Sequence, residues 1–179
     1  MREGLDQAER LLDSFLVLAR AQHGVPPDRE RVALALLVGA ALDARRAAIA
    51  EKRIWVHREL ASADVRGSGT LLARMIDNLL DNAVRHNERD GWLRIETRAD
   101  AHTATLVLEN GGPRLQPDDL RRIGQPFRRL GADRVGSDNG VGLGLSIVAA
   151  IASAHAGELE LTALPGGGLR AQVTLPRPG

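Results

Sequence analysis

A chain of 179 residues, 44% hydrophobic and 26% charged, is long enough for one domain with a substantial core plus a helical extension. Its 24 Lys and Arg against 23 Asp and Glu leave a net charge of +1, which gives no electrostatic reason to expect a nucleic-acid partner, and the absence of cysteine excludes a disulfide framework and thiolate metal sites. The longest apolar run, 32–42, ends at Asp43, Arg45 and Arg46, too soon to span a bilayer or to act as a cleaved export signal.

Residues 5–21 place Leu5, Leu12, Phe15, Leu16 and Ala19 at helical spacing, with Asp6, Glu9, Arg10 and Asp13 between them, and predict an amphipathic helix. Gly24, Pro26 and Pro27 stop it and open a linker. An apolar stretch at 32–34 leads into a helix over 36–50, then a strand over 54–60 and a polar turn at Arg66-Gly67-Ser68-Gly69. Residues 71–86 form a second, strongly patterned helix. Segments 92–98 and 103–108 alternate like two strands joined by a turn around Asp100. The stretch 111–140, rich in Gly, Pro, Asp and Arg, has the length and composition of a lid or binding loop. Residues 142–154 are helical, and 158–163 with 169–175 close the chain as a hairpin around Pro165-Gly166-Gly167-Gly168. This order predicts an α+β fold, a two-layer sandwich in which helices cover one face of a mixed, mainly antiparallel sheet, preceded by one amphipathic helix.

The helix 71–86 is the most informative segment. At roughly 100° per residue, Leu72, Ile76, Leu79 and Ala83 share one face and Arg74, Asp77 and Asp81 another, with Asn78, Asn82, Arg85 and His86 on the seam between them. A lone helical Asn is an ordinary surface residue. Two at i and i+4, followed by Arg and His on the same turn, make a place beside the core where a partly buried polar ligand can be gripped.

Asn78-Leu79-Leu80-Asp81-Asn82-Ala83, with Arg85 and His86 after it, resembles the asparagine box of sensor histidine kinases. The resemblance implies that Asn82 binds Mg²⁺ through its side-chain oxygen, that Arg85 touches the phosphates of ATP and that His86 lies against the nucleotide. Asn78 occupies the position where related ATPases of the gyrase, heat-shock chaperone and mismatch-repair group carry a water-activating glutamate. An amide cannot be that base, so Asn78 points to phosphoryl transfer to another group rather than to efficient hydrolysis. Gly140-Val141-Gly142-Leu143-Gly144-Leu145, opening a helix after the long loop, is similar to the family's second glycine box, where free N–H groups and a helix N-terminus meet a polyphosphate. No strand runs into it and no Lys-Ser/Thr follows, so it fits neither a dinucleotide fingerprint nor a Walker loop.

The family's first glycine box reads Asp-x-Gly-x-Gly, its Asp accepting from the adenine amino group. Aligning Gly112-Pro113 with the family's Gly-Pro puts Asn110 in the Asp position and Arg114 in place of the second glycine. A shift of one residue nominates Glu109 instead; Asn110 keeps Leu106 and Leu108 facing the core. Gln125-Pro126-Phe127 resembles the phenylalanine box, with Phe127 the hydrophobic latch of the lid, and Arg128, Arg129 and Arg134 are candidates for phosphate contact or docking.

By this resemblance, 1–24 is the second helix of a dimerisation domain, 25–31 a linker, 32–176 the ATP-binding catalytic domain of the Bergerat fold with its lid at about 113–139, and 177–179 a tail. No acceptor-histidine box is found: His57 precedes Arg58-Glu59-Leu60 but stands in a predicted strand, His23 ends a helix, His102 lies in a turn and His155 closes a helix. The implied activity is that of a two-component histidine kinase using ATP and Mg²⁺. Its phosphoacceptor helix and cognate response regulator would be its partners, the full-length kinase a homodimer, this piece a monomer or weak dimer, and its place the cytoplasmic side of a membrane-anchored sensor. The rivals are a water-activating ATPase or anti-sigma-factor serine kinase of the same fold, and a degenerate module that binds partners without ATP.

Overall fold

The computed structural model describes residues 30–116, 120 and 144–178. The helix expected over 5–21, and Phe127, Arg134, Gly140, Gly142 and Leu143, lie outside them.

Alternation builds the sheet. Strand β4 (Trp92–Ala99) buries Leu93, Ile95 and Thr97, while β5 (Thr103–Asn110) turns Ala104, Leu106, Leu108 and Asn110 to the same side. The strands β2 (Trp55–Leu60), β6 (Glu158–Ala163) and β7 (Leu169–Pro176) complete a five-stranded sheet in the order β2-β4-β5-β7-β6. Only the β2–β4 pair in it is parallel, which makes the sheet mixed as expected.

Helices α1 (Leu34–Ala44), α3 (Gly69–Arg85) and α4 (Gly144–Ala154) bury their apolar stripes against one face of this sheet. α3 buries Leu72, Met75, Ile76, Leu79, Leu80, Ala83 and Val84, and α4 buries Leu145, Ile147, Val148, Ile151 and Ala152. Each fully buried Leu or Ile contributes about 1.5–3 kcal/mol, so this interface dominates the packing. The other face of the sheet is polar and cross-linked by charge: Arg94 meets Glu96, and Arg170 Nη1 lies 2.6 Å from Glu109 Oε1.

Two local expectations change. The helix over 36–50 is broken at Arg45 (φ −102°, ψ 6°), giving α1 and a short α2 (Arg46–Glu51). The guanidinium of Arg45 holds Asp77 (2.8 Å), Asp81 (2.7 Å) and the carbonyls of Ala41 (2.9 Å) and Asp77 (3.1 Å), and this clamp coincides with the break. The turn at 66–69 is also partly a strand: β3 (Asp64–Gly67) pairs antiparallel with β1 (Glu30–Ala33) as a separate two-stranded sheet. Gly67 has no room for a side chain because the His155 ring packs against it. Ser68 then caps α3, its hydroxyl accepting from Leu71 N at 3.4 Å.

Candidate nucleotide-binding site

The polar seam of α3 is where the sequence placed it. Asn78 and Asn82 are half-buried and Arg85 and His86 exposed on the last turn, beside the buried stripe that docks on α4. Asn78 Nδ2 donates to the Arg74 carbonyl one turn back at 2.8 Å, which leaves Oδ1 as the end of the side chain aimed outward from the helix. That oxygen meets Gly144, the first residue of α4: a Cβ there would lie 3.5 Å from Asn78 Oδ1. The asparagine helix and the start of the glycine-box helix, 66 positions apart in sequence (144 − 78), therefore touch. Leu145, the next residue, is buried in the core and anchors α4 at this point.

A second cluster forms at the C-terminal end of α3. Asn110, the last residue of β5, is 3% exposed; its Nδ2 donates to Gly111 O at 2.8 Å, and its buried Oδ1 has no hydrogen-bond partner among the described residues. A buried acceptor left unpaired costs about 1–3 kcal/mol, so this oxygen marks a place suited to an incoming N–H donor. Glu109, the alternative, points to the opposite face of the sheet and binds Arg170 there. Asn110 is backed by the β6–β7 turn. Gly168, at φ +97°, presses on the Asn110 carbonyl so closely that no Cβ fits. Gly112, at φ +155°, sits against the His86 carbonyl, where a Cβ would come within 2.8 Å. The turn after β5 and the end of α3 are thus in direct contact.

These residues fit the group that the resemblance implies. Asn110 offers a purine amino group a buried acceptor, and Asn82 offers a hard cation one neutral oxygen. Among the described residues no three His, Asp or Glu side chains gather as a metal cage. Asn78, Asn82, Arg85, His86, Asn110, Gly112, Gly144 and Leu145 are all described, and the fold brings them to one end of the α3–α4 layer. Gly167 and Gly168 do more than turn the chain: they pack against the Gly112 and Asn110 carbonyls, and three glycines in a row at 166–168 are the only sign of this in the sequence. His23 lies outside the described residues; His57 is exposed on β2 and bonds Glu59 at 2.7 Å, while His155, at the end of α4, is buried and bonded on both ring nitrogens.

A family model described as histidine kinase-, DNA gyrase B-, and HSP90-like ATPase matches residues 67–179. The chain is 40% identical over 172 residues to the sensor protein CutS of Streptomyces coelicolor, covering 96% of this chain but 41% of that protein, so it spans less than half the length of this curated relative. Its structure is similar to that of the mycobacterial sensor histidine kinase MprB, with TM-score 0.71 and 26% identity over 84% of this chain and 99% of that one. It is also similar to the histidine kinase domain of the E. coli osmosensor EnvZ, with TM-score 0.62 and 28% identity over 87% of this chain and 93% of that one. A family match over more than half of the sequence, joined to these likenesses, leads to one conclusion: the chain belongs to the histidine kinase-, DNA gyrase B- and HSP90-like ATPases, as a catalytic ATP-binding domain of the sensor histidine kinase kind.

Proposed function

We propose that this domain binds Mg-ATP between α3 and the start of α4 and presents the γ-phosphoryl group to a histidine outside these 179 residues. The reading rests on one observation above the others: Asn78, an amide, stands against Gly144, and the resemblance makes its position the one where a water-activating ATPase carries a carboxylate. With no base at that position, the acceptor must bring its own nucleophile. The imidazole nitrogen attacks the γ-phosphorus in line, the bond to the β–γ bridging oxygen breaks, and ADP leaves. The domain contributes positioning and charge neutralisation, which supply most of the catalysis in phosphoryl transfer.

In this assignment Asn110 Oδ1 accepts from the adenine amino group, and His86 and Gly112 border the base. Arg85, with Arg134 from the stretch 113–139, meets the phosphates; the backbone of Gly140, Gly142, Leu143, Gly144 and Leu145 closes on them, and Phe127 latches that stretch. Asn82 would hold Mg²⁺, which when bound neutralises the phosphate oxygens. The division of the chain is proposed as 1–24 dimerisation helix, 25–31 linker and 32–176 catalytic domain. The phosphoryl group would pass onward to an aspartate of a response regulator, and the whole kinase would be a homodimer at the cytoplasmic face of a membrane. No described helix is long and apolar enough to cross a membrane itself.

The test is turnover of radiolabelled ATP by the chain alone and with a separately produced dimerisation domain carrying an acceptor histidine. The expected result is very slow phosphate release alone and label on the histidine when the acceptor is added. Rapid release of phosphate without acceptor would assign a water-activating ATPase instead.

A further inference from the structure

Lys52 is the only lysine among the 24 Lys and Arg residues of this chain, and the fold gives it a task that arginine cannot do. It follows α2, and its ammonium donates to three backbone carbonyls at the C-terminal end of α3: Val84 O at 2.8 Å, Arg85 O at 2.8 Å and Asn87 O at 3.1 Å. The last carbonyls of a helix lack intrahelical partners and carry the negative end of its dipole, so a cation there is favourable. Three acceptors converging on one point match the three N–H bonds that an ammonium carries on a single nitrogen; a planar guanidinium spreads its donors over three nitrogens and has at most two N–H on any one of them.

The surrounding backbone is latched to the same junction. Asp90 N donates to Lys52 O at 2.9 Å, Trp55 N donates to Gly91 O at 2.8 Å, and Arg53 and Asp90, both at positive φ (53° and 59°), form an ion pair. The carbonyls that Lys52 grips flank Arg85 and His86, and the His86 carbonyl rests against Gly112 beside Asn110. Movement of this end of α3 would therefore shift the phosphate-facing Arg85 and the base-facing turn together.

We propose that Lys52 is a positioning residue for nucleotide binding, setting the end of the asparagine helix against the Asn110–Gly112 turn through its three carbonyl bonds. This rests on the nucleotide reading above. The experiment is calorimetric titration of the full 179-residue chain with Mg-ADP, well below the unfolding temperature. It uses Lys52→Met, Lys52→Arg and Lys52→Cys, with Val173→Ala as a control that lowers stability from the buried side of β7, away from this junction. Because the chain has no cysteine, aminoethylation of Lys52→Cys rebuilds one ammonium at nearly the native reach.

The expected result is a loss of affinity of at least about tenfold in Lys52→Met, since small misplacements of binding groups carry penalties of that order. Lys52→Arg should recover little of it, the aminoethylated variant should return to within about threefold of wild type, and Val173→Ala should bind normally. Binding by Lys52→Met within about twofold of wild type, or an equal loss in Val173→Ala at matched stability, would overturn the assignment of Lys52 alone. No binding by the unsubstituted chain would overturn the nucleotide reading and this assignment with it.

Discussion

Replacing His155 tests how α3 is held at its other end. The ring is buried; the Ser68 amide donates to Nε2 at 3.1 Å, which makes Nε2 the acceptor and leaves Nδ1 to carry the hydrogen bonded to Ile151 O at 2.8 Å. His155→Ala strands the Ser68 N–H and leaves a cavity against Gly67 and Leu72. The unpaired donor costs about 1–2 kcal/mol, and removing a buried ring adds about 2 kcal/mol for lost contacts and cavity. The sum, about 3–4 kcal/mol, corresponds to a fall in Tm of about 10 °C for a domain of this size. Urea unfolding at neutral pH measures it directly. His155→Phe fills the volume without supplying an acceptor, so it should recover the packing part and remain about 1–2 kcal/mol below wild type. If His155→Phe matches wild type, the hydrogen bond to Ser68 contributes nothing and the reasoning fails.

Arg45→Met should destabilise the chain by about 2 kcal/mol, because the four acceptors it serves are only partly shielded from solvent and each bond is worth about 0.5 kcal/mol after screening; a double-mutant cycle with Asp77→Asn in urea checks the coupling, and a coupling near zero would contradict it. The Asp100 carboxyl is held down to about 2 by hydrogen bonds from the His102 amide, the Thr103 amide and the Thr103 hydroxyl. Since the folded value lies below the ordinary 3.8, its contribution is fully present above that pH and lost as pH falls towards 2. A carboxyl-carbon NMR titration should place Asp100 near 2, and a midpoint near 3.8 would contradict the geometry. Gly168→Ala should destabilise the β6–β7 turn by about 1–3 kcal/mol, since the backbone is at positive φ and the new methyl collides with Asn110 O. Thermal unfolding reads this out, and an unchanged Tm would refute it.

The described part of the candidate site was legible because its residues sit on strongly patterned elements. The buried stripe of α3 left Asn78 and Asn82 only one place to be, and the Leu106–Leu108 alternation put Asn110 on the helix-covered face and Glu109 on the other. What could not be read depends on contacts between distant segments. β3 has four residues with Val65 and Gly67 buried, too short for a periodic signal, and it is a strand because β1 pairs with it. The break at Arg45 lies in an alanine-rich run with no Gly or Pro to announce it, and only the fold brings Asp77 and Asp81 within reach. Lys52 carried a signal in composition alone; the three carbonyls that explain it belong to residues more than thirty positions away.

The central claim is that the Asn110 turn and the asparagine helix form one nucleotide pocket. Titration of the chain with Mg-ADP, compared across wild type, Asn110→Ala and Asn82→Ala, tests it most directly. The account predicts saturable one-to-one binding by wild type, weakened at least about tenfold by either substitution, with the Asn82→Ala deficit shrinking when magnesium is withheld and the Asn110→Ala deficit persisting. Binding that ignores both substitutions, or no binding by wild type, would contradict it.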